Sequence, residues 1–282
     1  MIMEQNYSTV ITSKRKWFDL NLGELWRYRD LITLFVRRTF VSQYKQTILG
    51  PAWAIIQPLL TTVVMTVVFG NIAGLSPAGV PSFAFYLCGS IAWTYFSSCL
   101  TTTSNTFTAN AAILGKVYFP RLVMPVSSVI SQLISCAIQF LFFLAFLLYY
   151  WIVGENVQPN MMVLMTPVLL AHMALLSLGV GVIISALTTK YRDLAMVVGF
   201  GVQLWMYATP VAYDISVIPA QYLSLYMLNP VTPIITMFRY AFLGVGEPYW
   251  GAYGISCIVT AVVLLAGILL FNRVEKTFMD TV

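Results

Sequence analysis

Between Gln46 and Gly115 the chain carries no Asp, Glu, Lys or Arg, and Leu122–Gly154 is a second uncharged run. Soluble domains are about one-quarter charged, so stretches like these have no place on a water-exposed surface. The whole chain agrees: of 282 residues, 59% are hydrophobic and 9% charged, with a mean hydropathy of +0.82. A soluble enzyme, a disordered chain and a collagen-like fibre are excluded. A multi-span membrane protein remains.

A crossing needs about 20 mainly apolar residues. The first uncharged run holds two crossings, because Asn71–Ser82 is dense in Gly, Pro and Ser and reads as a turn. The sequence predicts six spans, at about 51–70, 83–105, 126–152, 161–187, 194–213 and 252–272. Residues 1–50 form an N-terminal cytoplasmic region, 51–273 the membrane domain and 274–282 a cytoplasmic tail. Backbone in lipid must satisfy its own hydrogen bonds, so the spans are helices or a closed barrel. Runs such as Phe140–Ile152 lack the alternation of barrel strands. The expected fold class is an all-α membrane protein.

Basic residues set the orientation. With the N-terminus inside, 14 of the 15 Lys and Arg residues fall inside and only Arg239 outside. Both termini are therefore expected in the cytoplasm. No cleavable signal peptide is expected, since the first apolar run of span length begins near Pro51. Cys88, Cys99, Cys136 and Cys257 lie in spans without ligand spacing and read as small apolar residues. His172 is the lone histidine, so neither a metal site nor a histidine-based triad is expected.

Outside the spans, Leu22–Lys45 mixes apolar and basic residues at helical spacing. Leu22, Leu25, Ile32, Val36 and Phe40 share one arc; Arg27, Asp30, Arg37, Arg38 and Lys45 share another. This is an amphipathic helix, in one piece or two, lying at the inner membrane interface. It serves as a lipid anchor or holds a partner or pore entrance. The loop Asn110–Pro125 faintly resembles a phosphate loop at Leu114–Lys116. The match fails at Asn110 and Val117, so no nucleotide site is expected. Thr188–Leu194 reads as a short charged turn. Residues 210–250 are apolar yet broken by Pro210, Pro219, Pro230, Pro233 and Pro248. Two short helices dipping back into the outer membrane half are expected there, as an outer gate or a packed cap.

The spans contain no Asp, Glu, Lys or Arg, which argues against a proton-driven transporter or a charged ion filter. They carry Gln57, Gln132, Gln139 and Gln203, and Ser127, Ser131 and Ser135 recur on one helical face. Aromatics Trp53, Tyr86, Trp93, Tyr95 and Phe96 cluster in the first two spans. They belong to an interface belt or core, or they line a pore whose faces suit sugar rings.

Leu25–Leu31 (LWRYRDL), followed by Tyr44–Leu59 (YKQTILGPAWAIIQPL), resembles the permease subunits of bacterial polysaccharide ABC exporters, which are type-2 ABC exporter permeases. Phe119–Pro125, Lys190–Leu194 and Leu228–Pro233 are similar to that family at the expected places. The resemblance implies export of a lipid-linked polysaccharide of O-antigen type, on an undecaprenyl-type carrier, across the bacterial inner membrane. It implies a homodimer and a separate ATP-binding subunit that carries ATP and Mg, with no cofactor in this chain, no nucleic-acid partner and no enzymatic activity of its own.

The resemblance also implies roles. Gly115, Lys116, Val117, Tyr118, Phe119, Pro120 and Arg121 would couple to the ATPase. Leu25, Trp26, Arg27 and Arg29 would lie in an interface helix. Arg37, Arg38, Tyr44 and Lys45 would stand at the cytoplasmic channel mouth. Pro210, Tyr213, Tyr222, Tyr226, Pro230, Pro233 and Arg239 would belong to the outer gate. A drug or lipid exporter permease is the alternative. A membrane-embedded transferase fits less well, because Asp193, Asp214 and His172 are isolated in sequence.

Overall fold

The structure of the chain is a computed structural model that describes residues 22–45, 47–114, 116, 119–188 and 193–281. Every regular element among these residues is helical. Five helical stretches are long and apolar enough to cross a membrane: Gly50–Ile72, Ser82–Ser104, Val123–Val153, Met161–Thr188 and Trp250–Phe271.

The N-terminal region forms α1 (Leu22–Arg27) and α2 (Arg29–Tyr44). The first long stretch begins with a 3-10 turn, continues as α3 (Trp53–Met65) and ends as a π-helix over Thr66–Ile72. Next come α4 (Ser82–Ser104), α5 (Thr106–Leu114) and α6 (Val123–Val153). A 3-10 turn leads into α7 (Thr166–Thr188), followed by α8 (Leu194–Tyr207). Short helices α9 (Ala220–Tyr226) and α10 (Thr232–Leu243) precede α11 (Trp250–Thr281).

Helix α4 is the axis of the bundle. Its N-terminal half is largely apolar and aromatic, and Ala84–Trp93 is buried without interruption. Helices α3, α6, α7, α8 and α10 all pack on it. Lipid is as apolar as leucine, so close backbone approach has to supply much of the cohesion between membrane helices. Here it does so where α7 meets α11. A Cβ on Gly179 would stand 2.9 Å from the Leu264 backbone, and one on Gly267 would stand 2.8 Å from the Gly179 carbonyl oxygen. The same interface carries His172, whose Nε2 lies 2.8 Å from Thr260 Oγ1.

The connections gather at two ends. At one end the Asp214 N–H donates to Leu75 O at 3.1 Å, and the Asn160 N–H donates to Ala241 O at 3.0 Å. At the other end Thr188 Oγ1 donates to Ser104 O at 3.2 Å. There Phe35, Phe107, Phe119, Val123, Met124, Val182 and Phe271 form a second, smaller core.

One boundary departs from the sequence reading, and the structure draws two others more finely. The expected fifth span, 194–213, is helical only to Tyr207. Its 14 residues reach about 21 Å at 1.5 Å per residue, short of the hydrocarbon thickness. Pro210 cannot continue the ladder, and the carbonyls beyond Tyr207 find side-chain donors instead. The last helix runs on to Thr281, so residues 274–281 of the expected tail continue the helix of the sixth predicted span. The amphipathic N-terminal segment is broken at Tyr28 into two helices. Its deepest side chain is Phe35, which the sequence arc omitted; Leu25, Ile32, Val36 and Phe40 are half-buried.

Candidate functional site

Polar residues come together in a groove of about 270 Å³ between α2, α3, α4 and α6. Helix α3 supplies Trp53, Gln57 and Thr61; α4 supplies Thr94 and Ser98; α6 supplies Gln132, Ser135 and Gln139; α2 closes one end with Gln43 and Tyr44. Within α3, α4 and α6 successive positions are three or four residues apart, so each of these sets lies on one face. Tyr44 Oη and Ser135 Oγ are 3.2 Å apart and tie α2 to α6. Thr61 Oγ1 donates back to the Gln57 carbonyl at 3.1 Å. Among the described residues no lining residue is charged. On the flanks, α3 exposes Leu60, Val63 and Val64, and the π-helix that follows exposes Val67 and Val68.

The second arrangement is a lock around Arg239 on α10, which is 2% exposed. Its guanidinium donates to the carbonyls of Pro210 at 2.5 Å, Val211 at 2.7 Å and Tyr213 at 3.2 Å. It lies 3.6 Å from the centre of the Phe85 ring, a cation–π contact in a desolvated setting. Gly89 makes room for it: a Cβ there would stand 2.6 Å from a guanidinium nitrogen. One cation thus holds the non-helical segment after α8 against α4. The fork of donors on arginine suits several carbonyls at once.

Asn229 completes the lock. Its Nδ2 donates to Ala208 O and Thr209 Oγ1, both at 2.9 Å. Its Oδ1 accepts from Trp205 Nε1 at 3.0 Å and from the Val231 N–H at 3.1 Å. Tyr213 and Tyr226 join through their hydroxyls, and Tyr213 also donates to Tyr207 O at 2.9 Å. Replacing Asn229 by alanine strips these four bonds, at a cost of roughly 2–4 kcal/mol. The expected result is faster protease cleavage within 208–218 in membrane preparations. Cleavage at the parental rate would show that the segment is held by other contacts.

The residues singled out from the sequence are not all in these two places. Arg239, Pro210, Tyr213, Tyr226 and Pro230 belong to the lock or its immediate partners; Pro230 O accepts from Ser256 Oγ at 2.6 Å. Pro233 is buried in α10, while Tyr222 on α9 is exposed. Of the aromatics considered for a pore lining, only Trp53 is open, at 50% exposure, and it lies in the groove. Tyr86, Trp93, Tyr95 and Phe96 are buried in the core around α4. In this arrangement their side chains are packed, and Tyr95 also borders an apolar cavity of about 610 Å³ lined by residues of α6 and α7.

In the N-terminal helices, Trp26, Arg27, Arg29, Arg37, Arg38 and Lys45 are exposed, Leu25 is half-buried and Tyr44 is buried at the groove. In the loop before α6, Lys116 is exposed, Pro120 and Arg121 are half-buried and Phe119 is buried. The Phe119 and Phe35 rings are 5.8 Å apart. Gly115, Val117 and Tyr118 lie outside the described residues, as do 189–192, which include most of the KYRDL run.

The lock's Asn229 and the glutamine groove were not assigned from sequence. Asn229-Pro230 is a turn signal, but three of its four partners lie 20 or more positions away. The groove had a legible signal in the repeating polar positions on α3 and α6. What was missing was the knowledge that those two faces meet.

Comparison with known proteins places this architecture. A family model described as "ABC-2 type transporter" matches residues 30–243. The chain is 27% identical over 262 residues to an O-antigen export system permease protein RfbA of Klebsiella pneumoniae, covering 92% of this chain and 96% of that protein. It is 26% identical over 262 residues to the protein of that name in Myxococcus xanthus, covering 92% and 98%. It is 24% identical over 257 residues to the polysialic acid transport protein KpsM of Escherichia coli, covering 88% and 94%. With the family match spanning most of a chain built around apolar membrane helices, this integral membrane protein belongs to the ABC-2 type transporter family.

Proposed function

We propose that the chain is the membrane subunit of an ABC exporter for lipid-linked polysaccharide of O-antigen type, working as a homodimer in the bacterial inner membrane. The observation that carries this reading is the uncharged polar groove. A bilayer does not cover amides and hydroxyls cheaply, so the groove faces an aqueous or glycan-filled passage, and the bare apolar face of α3 beside it meets lipid or a second copy. The relatives named as O-antigen and polysialic acid permeases point to the same class of cargo. The alternative of a drug or hydrophobic lipid cargo gains nothing from a groove built of glutamine, serine and threonine.

In this reading the chain crosses the membrane six times. The fifth crossing consists of α8 and the locked segment 208–214, with α9 and α10 as re-entrant gate helices on the outer side. Both termini are cytoplasmic. This arrangement draws support from the charge distribution and from the alternation of connections between the two ends of the bundle. The undecaprenyl-type carrier presents its anionic head near Arg37, Arg38 and Lys45.

Energy arrives from a separate ATP-binding subunit, which holds ATP and Mg; this chain performs no covalent chemistry. Force enters through 115–121 and passes through the contact of Phe119 with Phe35 to α2, which borders the groove. The cycle then needs two packings of the helices whose balance the nucleotide state shifts.

The test is purification of the tagged chain in mild detergent. Recovery of an ATP-binding subunit in equal amount, with ATPase activity, is expected; its absence under crosslinking would remove the reading. Replacing Val117–Phe119 by alanine, or Phe35 alone, should leave the complex assembled and hydrolysing ATP while export falls at least tenfold. Normal export by these variants would place the coupling elsewhere.

A further inference from the structure

The groove holds chemistry that a simple passage does not require. Gln139 is only 7% exposed, and its Oε1, closed off from solvent in this arrangement, has no hydrogen-bond partner among the described residues. A buried acceptor left in this state is costly, and this one belongs to a side chain lining the groove. Gln57 and Gln132 line the same space, about 10–12 Å of helix length from end to end at 1.5 Å per residue. Carboxamides both donate and accept, as sugar hydroxyls do. Trp53 is open beside them, and an indole ring offers a flat face to the C–H side of a sugar.

The charges are equally informative. Helices α3, α4 and α6 contain no Asp, Glu, Lys or Arg. The nearest cation in sequence is Lys45, exposed just beyond Tyr44 at the end of α2. A carboxylate drawn into the groove would leave its water with no counter-charge to meet it. A neutral hydroxyl loses far less.

We infer that this groove is a binding subsite for an uncharged glycan segment, with Gln57, Gln132 and Gln139 reading hydroxyls and Trp53 stacking on a ring. The inference rests on the export reading and deepens it by naming the charge class of the polymer.

The test uses the transporter purified with its ATP-binding subunit and two probes of equal length, maltoheptaose and a fully ionised heptagalacturonate. Titration calorimetry should show the neutral probe binding at least tenfold more tightly. Gln132→Leu and Gln139→Leu should each weaken maltoheptaose binding about tenfold, the effect of one lost hydrogen bond. Gln57→Lys, at an exposed position, should raise affinity for the acidic probe. Melting temperatures confirm that each variant is folded, and Gln132 serves as the second position should the buried Gln139 variant unfold.

Equal or tighter binding of the acidic probe, unaltered maltoheptaose binding in the folded variants, or no binding of either probe would overturn the assignment. A separate arm deletes the gene and measures surface glycan. If surface glycan survives deletion, the export reading itself falls. If it disappears while the binding results are contrary, only the groove assignment falls.

Discussion

Arg239→Met is expected to lower the melting temperature of the detergent-solubilised protein sharply and to leave the 208–214 segment open to protease. The side chain bonds three carbonyls from a site that is 2% exposed. Removing it leaves those acceptors without their donors, a loss of at least about 3 kcal/mol at about 1–3 kcal/mol for each stranded group. Arg239→Lys should recover only part of this, because an ammonium lacks the planar fork that reaches several carbonyls at once.

The sharper variant is Gly89→Ala. By helix propensity alone it should stabilise α4 by roughly 1 kcal/mol. The Cβ, however, would sit 2.6 Å from the Arg239 guanidinium, so the arginine must move and the lock weakens. Destabilisation by Gly89→Ala, and a double variant no worse than Arg239→Met, would show that both changes act on one contact. An alanine variant as stable as the parent would mean that the guanidinium does not depend on the space over Gly89.

Gly179→Leu is the second large effect. A Cβ at this position meets the backbone of Leu264 at 2.9 Å, and backbone cannot rotate away as a side chain can. The helices α7 and α11 must separate, which breaks the close packing and lengthens the His172–Thr260 hydrogen bond. Overpacking of this kind costs about 1–3 kcal/mol or more. The expected readout is loss of folded protein from membranes, seen as aggregation in fluorescence-detected size exclusion. Gly199→Leu makes the control: nothing lies within 4 Å of a Cβ there, and normal behaviour is expected. Equal behaviour of the two variants would remove the α7–α11 contact from the account of stability.

Helix type, the approximate places of the long apolar helices and the excess of basic residues at one side were legible because they depend on local composition. A run free of charge over Gln46–Gly115 points to membrane spans whatever its neighbours are, and apolar runs without alternation make them helices. The lone Arg239 stood out in the charge pattern, and the proline-rich 210–250 stretch announced broken helices. Neither fact named the three carbonyls that the arginine holds, since Pro210 and Arg239 lie 29 positions apart and their meeting is a property of the packed bundle.

The tertiary structure alone decided which aromatics are packing and which are open. Trp53 and Trp93 look alike in sequence, but Trp93 sits on the central helix with neighbours on every side, while Trp53 lies on a helix covered on one side only. It likewise decided that the polar faces of α3 and α6 converge on one groove rather than on separate surfaces. Helical periodicity assigns a residue to a face of its own helix; which faces meet is set by the crossing of helices, through glycines such as Gly179 and Gly267 that let two backbones touch.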